Sequence, residues 1–167
     1  MILKHIILSG FVVLNASLVA LSLDSRTRAL PSPVDVVTEV IDGDTLRINR
    51  NDVLFKVRLA EVDAPELKQP LGPKVQEYVK KLVLGKAVTL VGAKKDLYQR
   101  TLAHVLLGKM DLNKELVYQG YAMVDPRYIK DKSLLVAESL AKTAHRGVWV
   151  EPNPMPPWAF RKLRKML

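Results

Sequence analysis

The chain has 167 residues and is 49% hydrophobic, enough for one domain with a real core and too apolar for a disordered chain. It contains no cysteine, which excludes disulfides, thiolate catalysis and cysteine-ligated metal centres. Its three histidines, His5, His104 and His145, are scattered, which argues against a histidine-based metal site. The net charge of +9 points to a polyanionic partner, nucleic acid or an anionic membrane surface, although simple solubility also accounts for such a charge.

Lys4 and His5 precede a run from Ile6 to Leu23 that carries no charged residue. Ala20-Leu21-Ser22 offers small residues at the −3 and −1 positions of a cut after Ser22, so residues 1–22 are predicted to be an export signal of a secreted or periplasmic protein. The alternative is an uncleaved membrane anchor over residues 6–23, because about 18 apolar residues lie at the lower limit for spanning a bilayer. Residues 23–33, with Ser25, Arg26, Thr27, Arg28, Pro31 and Pro33, read as a linker.

Residues 34–41 form a predicted strand rich in β-branched side chains. Asp42-Gly43-Asp44 is a turn, and residues 45–49 return as a second strand. Arg50-Asn51-Asp52 makes another tight turn. In residues 53–59, Val53, Phe55, Val57 and Leu59 alternate with Leu54, Lys56 and Arg58, so Arg58 faces away from a core that takes Val57 and Leu59. Pro65 then ends strand pairing, and Asp63 and Glu66 arrive where the strand runs out.

A helix is predicted over 73–84, with Val75, Val79, Leu82 and Val83 as its apolar stripe and Gly85 as its stop. A short strand over 87–91, a polar loop over 92–99 and a strand over 100–107 follow. His104 lies within that apolar strand and reads as structural. Two further helices are expected over 111–119 and 132–145, separated by an extended piece at 121–124 and a loop. Pro152, Pro154, Pro156 and Pro157 break regular structure, leaving residues 151–167 as a proline-rich segment and basic tail. This order fits a mainly β, α+β class: a small mixed barrel with helices outside, over residues 34–150.

The chemistry follows from the strand ends. A turn after the first strand and a loop after the third lie at the same end of a meander, so Asp44 and Asp63 can converge. Two carboxylates, a backbone carbonyl and waters suit a hard cation, calcium or magnesium. Glu66, behind the rigid Pro65, can orient or deprotonate a water. Arg58 and Arg100 can each offer paired donors to phosphate oxygens. Taken singly, Asp-Gly-Asp is an ordinary turn and Arg58 a solvated strand residue or salt-bridge partner. Tyr98 is a core residue or a stacking platform, and Lys94-Lys95 a solvated loop. In combination they describe phosphodiester hydrolysis.

Val40-Ile41-Asp42-Gly43-Asp44-Thr45, then Arg58-Leu59-x-x-Val62-Asp63-x-Pro65-Glu66, then Asp96-x-Tyr98-x-Arg100-x-Leu102-Ala103, resemble the staphylococcal (micrococcal) nuclease family. The similarity continues through Asn113-x-x-Leu116-Val117-x-x-Gly120-x-Ala122 to Gly147-Val148-Trp149 and covers roughly residues 34–150. The resemblance implies an OB-fold, a five-stranded β-barrel with three α-helices. It implies a calcium-dependent, sequence-nonspecific endonuclease, monomeric and using one Ca2+, that acts on DNA and RNA, prefers single strands and leaves 3′-phosphates. By the same resemblance Asp44 and Asp63 are metal carboxylates, Ala64 a ligand through its backbone carbonyl, Glu66 the general base, and Arg58 and Arg100 the phosphate-binding arginines. Tyr98 stands near the terminal phosphate, and Tyr128 partly replaces an aromatic-rich segment that lines the base pocket.

The chain departs from the family pattern at Leu97, where a basic residue is frequent, and at Gln99, where a glycine is. The loop after Glu66 is short and carries only Lys68. The competing expectation is a non-catalytic nuclease-like module that only binds nucleic acid or protein, but such modules lose site residues that this chain keeps. From Pro126 onward nine Lys/Arg stand against three Asp/Glu, so this end is electropositive and suited to salt-dependent contact with a phosphate backbone.

Overall fold

The computed structural model describes residues 34–166; the expected leader and the whole of the linker lie outside the described residues. Strands β1 (Asp35–Val40), β2 (Thr45–Arg50) and β3 (Val53–Leu59) form the expected antiparallel meander. Asn51 and Asp52, with φ of 50° and 64°, make the β2–β3 hairpin, two left-handed residues that match the twist of the flanking strands. A two-residue strand, β4 (Val62–Asp63), follows a sharp corner at Glu61.

Helix α1 (Gly72–Val83) carries the predicted stripe inward: Val75, Val79 and Val83 are fully buried. Strand β5 (Ala87–Lys95) is longer than its sequence suggested. Its register slips between Val91 and Lys94, so Lys94 and Lys95 still pair with Leu102 and Thr101 of β6 (Thr101–Leu107) instead of forming a loop. Strand β7 (Met110–Asp111) leads into α2 (Leu112–Tyr118), and β8 (Met123–Val124) into α3 (Lys132–Thr143). Gly147–Val150 is a 3-10 turn. The tail read as irregular contains a fourth helix, α4 (Pro157–Arg164), in which Pro157 stands in the first turn, where its missing N–H costs nothing.

The sheet order is β3-β2-β1-β5-β6-β7, and β3 pairs again with β6 in parallel, which closes the first five of these strands into a barrel. Val37, Leu46, Ile48, Val57, Leu59 and Val105 fill its interior, and α1, α2 and α3 seal it with Val79, Leu116 and Leu134. Each such side chain stabilises by about 1.5–3 kcal/mol through burial. The α+β barrel is as expected, with four α-helices among the described residues in place of three.

Two polar residues pin the barrel end that carries Asp63. Asn113 is fully buried in α2. Its amide donates to the Ala60 and Ala103 carbonyls at 2.9 and 3.3 Å, and its oxygen accepts from the Val105 N–H at 3.1 Å. His104 bridges β6 to its surroundings, with Nδ1 2.8 Å from Asp111 Oδ2 and Nε2 3.6 Å from Glu61 Oε1. Asp111 also caps α2. The hydrogen bond to Asp111 holds the imidazole above its ordinary pKa against the opposing effect of burial, and Glu61 adds to it. Asp131 is a further charge that acts on His104, and Lys114 in turn acts on Asp131.

Two outcomes follow for stability. Asn113→Ala leaves three backbone groups without their side-chain partner and should cost about 2–3 kcal/mol in urea unfolding. A raised folded pKa means that the His104 contribution is complete below the unfolded value of about 6.5 and is lost as pH rises through the folded value. Stability should therefore decline above about pH 6.5, and His104→Gln should flatten that part of the profile.

Candidate active site

The β1–β2 turn is shaped by its own aspartates. Asp42 Oδ1 accepts from the Asp44 N–H at 3.0 Å, and Gln76 on α1 donates to the Val40 and Ile41 carbonyls. The turn lies directly against the loop after β3: the Leu59 N–H donates to the Asp44 carbonyl at 2.8 Å, and the Ala64 N–H to Asp44 Oδ2 at 2.7 Å. Gly43 makes this approach possible, since a Cβ there would lie 2.7 Å from that of Ala64. The two acidic clusters, twenty residues apart, thus meet.

Arg58 binds both. Its Nε lies 3.0 Å from Asp44 Oδ1 and its Nη2 2.8 Å from Asp63 Oδ1, while Nη1 donates to the Leu59 and Val62 carbonyls. Asp44 and Asp63 are almost wholly buried, Asp63 to 1% exposure. Burial pushes the Asp44 carboxyl up to about 7, against the pull of Arg58 and the Ala64 N–H, and with the push of Asp42 and Asp63. Thr45 Oγ1 donates to Asp44 Oδ1 at 3.2 Å.

Asp63 sits in β4, which pairs with β8 and so stands opposite Met123. Glu66 is half-buried in the loop beyond Pro65. Its N–H donates to Gln69 Oε1 at 2.8 Å, and its carbonyl accepts from the Gln69 N–H at 2.7 Å. The start of α1 packs tightly on this loop, because a Cβ at Gly72 would fall 2.0 Å from the Glu66 carbonyl oxygen.

The largest departure from expectation comes from α4. Arg161 Nη1 donates to Asp63 Oδ1 at 2.9 Å and to Glu66 Oε1 at 2.7 Å, and Nη2 donates to Asp63 Oδ2 at 2.6 Å. No local spacing announces a partner 98 residues away; Pro157 opening a basic amphipathic turn was the available signal of the helix. Asp125 and Arg127 were also passed over as charges beside the site. They pair at 2.6 Å after β8, and their charges act on Arg58 and Asp63.

Arg100 is not drawn into this cluster. Arg58 pairs with Leu102 across the parallel β3–β6 contact, so Arg100, two residues earlier, issues on the same side of the barrel as Arg58. Asp96 orients it: Oδ2 accepts from Arg100 Nε at 2.8 Å, and Oδ1 accepts from the N–H groups of Tyr98 and Arg100. These bonds hold Asp96 below the usual carboxylate range although burial acts the other way. Gln99 takes the left-handed conformation, φ 60°, that a glycine would adopt more easily. Tyr98 is 80% exposed, with the Arg100 guanidinium 5.5 Å from its ring, and Tyr128 is exposed beside Arg127. Neither tyrosine is a core residue.

Residues 56–151 match the family model described as staphylococcal nuclease homologue. The chain belongs to the staphylococcal nuclease family. An uncharacterized endonuclease of Haemophilus influenzae is 36% identical over 167 residues, spanning 99% of this chain and 90% of that protein. An uncharacterized endonuclease of Escherichia coli is 36% identical over 126 residues, 75% of this chain and 82% of its own length. The thermonuclease of Staphylococcus hyicus is 28% identical over 164 residues, 86% of this chain and 97% of its own. Within this nuclease family the oxygen-only donors Asp44, Asp63 and Glu66 suit a hard divalent cation, and the poorly compensated burial of Asp44 favours added positive charge. Among the described residues no group of three or more acidic or histidine side chains stands ready to hold a metal ion. The guanidinium of Arg58 contacts both Asp44 and Asp63, and that of Arg161 both Asp63 and Glu66.

Gln99→Gly should relax the turn that presents Arg100 and stabilise the fold by about 0.5–1 kcal/mol, after the greater freedom of glycine in the unfolded chain is subtracted. The midpoint of thermal or urea unfolding checks this.

Proposed function

We propose that this nuclease-family protein is a calcium-dependent, sequence-nonspecific endonuclease that hydrolyses phosphodiester bonds of DNA and RNA and leaves 3′-phosphates. The observation that supports the reading is the meeting of Asp44 and Asp63 on Arg58, with Glu66 joined to Asp63 through Arg161, at one end of the barrel. Asp44, Asp63 and the Ala64 carbonyl would hold the cation. When bound, it supplies positive charge against the phosphoryl oxygens and a place for the attacking water. Glu66 would take a proton from the attacking water as the new oxygen–phosphorus bond forms, and the bond to the 5′-oxygen would break as that oxygen takes up a proton from solvent. Arg58 and Arg100, on the same side of the barrel, donate to the phosphoryl oxygens, whose charge grows in the transition state. Exposed Tyr98 and Tyr128 offer stacking faces, which supports a preference for single strands.

The proposal includes a monomer exported by a leader over residues 1–22, with the mature N-terminus at Leu23 as its check. An uncleaved anchor over residues 6–23 is the other outcome of that determination.

Digestion of heat-denatured DNA and of RNA, with calcium and then with a chelator, tests the activity. Cleavage should require the cation, leave phosphatase-sensitive 3′ ends and fall about a thousandfold in Glu66→Gln. Full activity in chelator, or an unaffected Glu66→Gln, overturns the mechanism. Cation and nucleic-acid binding without cleavage leaves the binding-only module.

A further inference from the structure

Arg161 reaches the site from outside the region that matches the nuclease family, which ends at residue 151. Its three donors occupy both oxygens of Asp63 and one of Glu66, and Arg58 shares Asp63 Oδ1. A carboxylate that binds a hard cation needs a free lone pair aimed at it. A guanidinium keeps its proton at any ordinary pH and has the same sign of charge as the cation. The two therefore compete for Asp63: three of its roughly four acceptor sites are taken by arginine donors, and the two cations repel each other. The Arg161 guanidinium also occupies Glu66 Oε1 at 2.7 Å.

The element that brings Arg161 is lightly held. Only Pro157 of α4 is buried, and three prolines, Pro152, Pro154 and Pro156, stiffen the strap before it. Gln69 ties this strap to the Glu66 loop: its Nε2 donates to the Met155 carbonyl at 3.2 Å while its Oε1 holds the Glu66 N–H. A short helix with one buried residue, its Trp158 and Phe160 only half-buried, opens at lower cost than the core helices do.

We propose that α4 is an internal counter-ion latch: Arg161 occupies the Asp63 and Glu66 carboxylates and must be displaced before a divalent cation can bind them. The proposal rests on the cation-dependent reading above. With the latch in place, the apparent affinity for the cation is lowered by the fraction of molecules in which Arg161 has swung away. Arg161, with Arg58, also supplies the counter-charge that a carboxylate as buried as Asp63 needs.

Calcium titration by calorimetry of the full chain, of Arg161→Gln and of Arg164→Gln tests this, together with amide exchange over residues 157–164. Arg164 is exposed on the same helix and removes the same charge without touching the site. Arg161→Gln should bind calcium about tenfold more tightly, and Arg164→Gln as the unaltered chain does. In the unaltered chain, calcium should speed exchange of the α4 amides, a measurement that needs no substitution. Equal or weaker binding by Arg161→Gln, an equal gain in Arg164→Gln, or α4 protection that calcium leaves unchanged overturns the latch and spares the nuclease reading. Absence of calcium binding in both the unaltered chain and Arg161→Gln overturns the cation-dependent reading and the latch with it.

Discussion

Asp63 is the constraint around which the site is arranged. A carboxylate at 1% exposure must be met by positive charge and hydrogen bonds, because the cost of leaving it unpaired amounts to several kcal/mol. Two guanidinium groups meet that need, Arg58 from the strand just before it and Arg161 from the last helix. Arg58 does double duty by reaching Asp44 as well. The charges are therefore not a surface patch but a connected network with a buried centre at Asp44, Asp63 and Arg58, in which moving one member changes the demands on the others.

The barrel makes that network possible. Closure through the parallel β3–β6 contact fixes Arg58 and Arg100 on one side, while the β1–β2 turn and the loop after β3 share an end. Close backbone approaches hold the pieces at their spacing. Gly43 lets the Asp44 turn touch Ala64, and Gly72 lets α1 press on the Glu66 carbonyl. Asn113 and His104 fasten the same end from α2 and β6, so the groups that bind charge are presented by a rigid frame. The C-terminal strap differs in kind. Gln69 and Arg161 attach it by polar contacts and Pro157 by burial, and it places fewer residues in the core than α1, α2 or α3 do.

Much of this was legible in the residue pattern. The alternation in β3 placed Val57 and Leu59 inward and Arg58 on the opposite face, and the valine stripe of α1 marked its buried side. These are local periodicities, and the barrel respects them. The missed features share one cause. The extra length of β5 depends on a bulge that only its partner strand reveals. Likewise α4 was hidden by prolines that break helices in the middle but open them at the first turn.

The sequence by itself determined the family, the strand and helix periods, and the order in which Asp44, Arg58, Asp63, Glu66 and Arg100 occur. Those depend on near neighbours or on a motif of fixed spacing. Only the tertiary structure decided that Arg161 closes on Asp63 and Glu66, that Asp125 and Arg127 stand beside them, and that Arg100 is held apart by Asp96. A buried charge accepts whichever counter-charge the folded chain brings within reach, and no spacing along the chain encodes a partner 98 residues away.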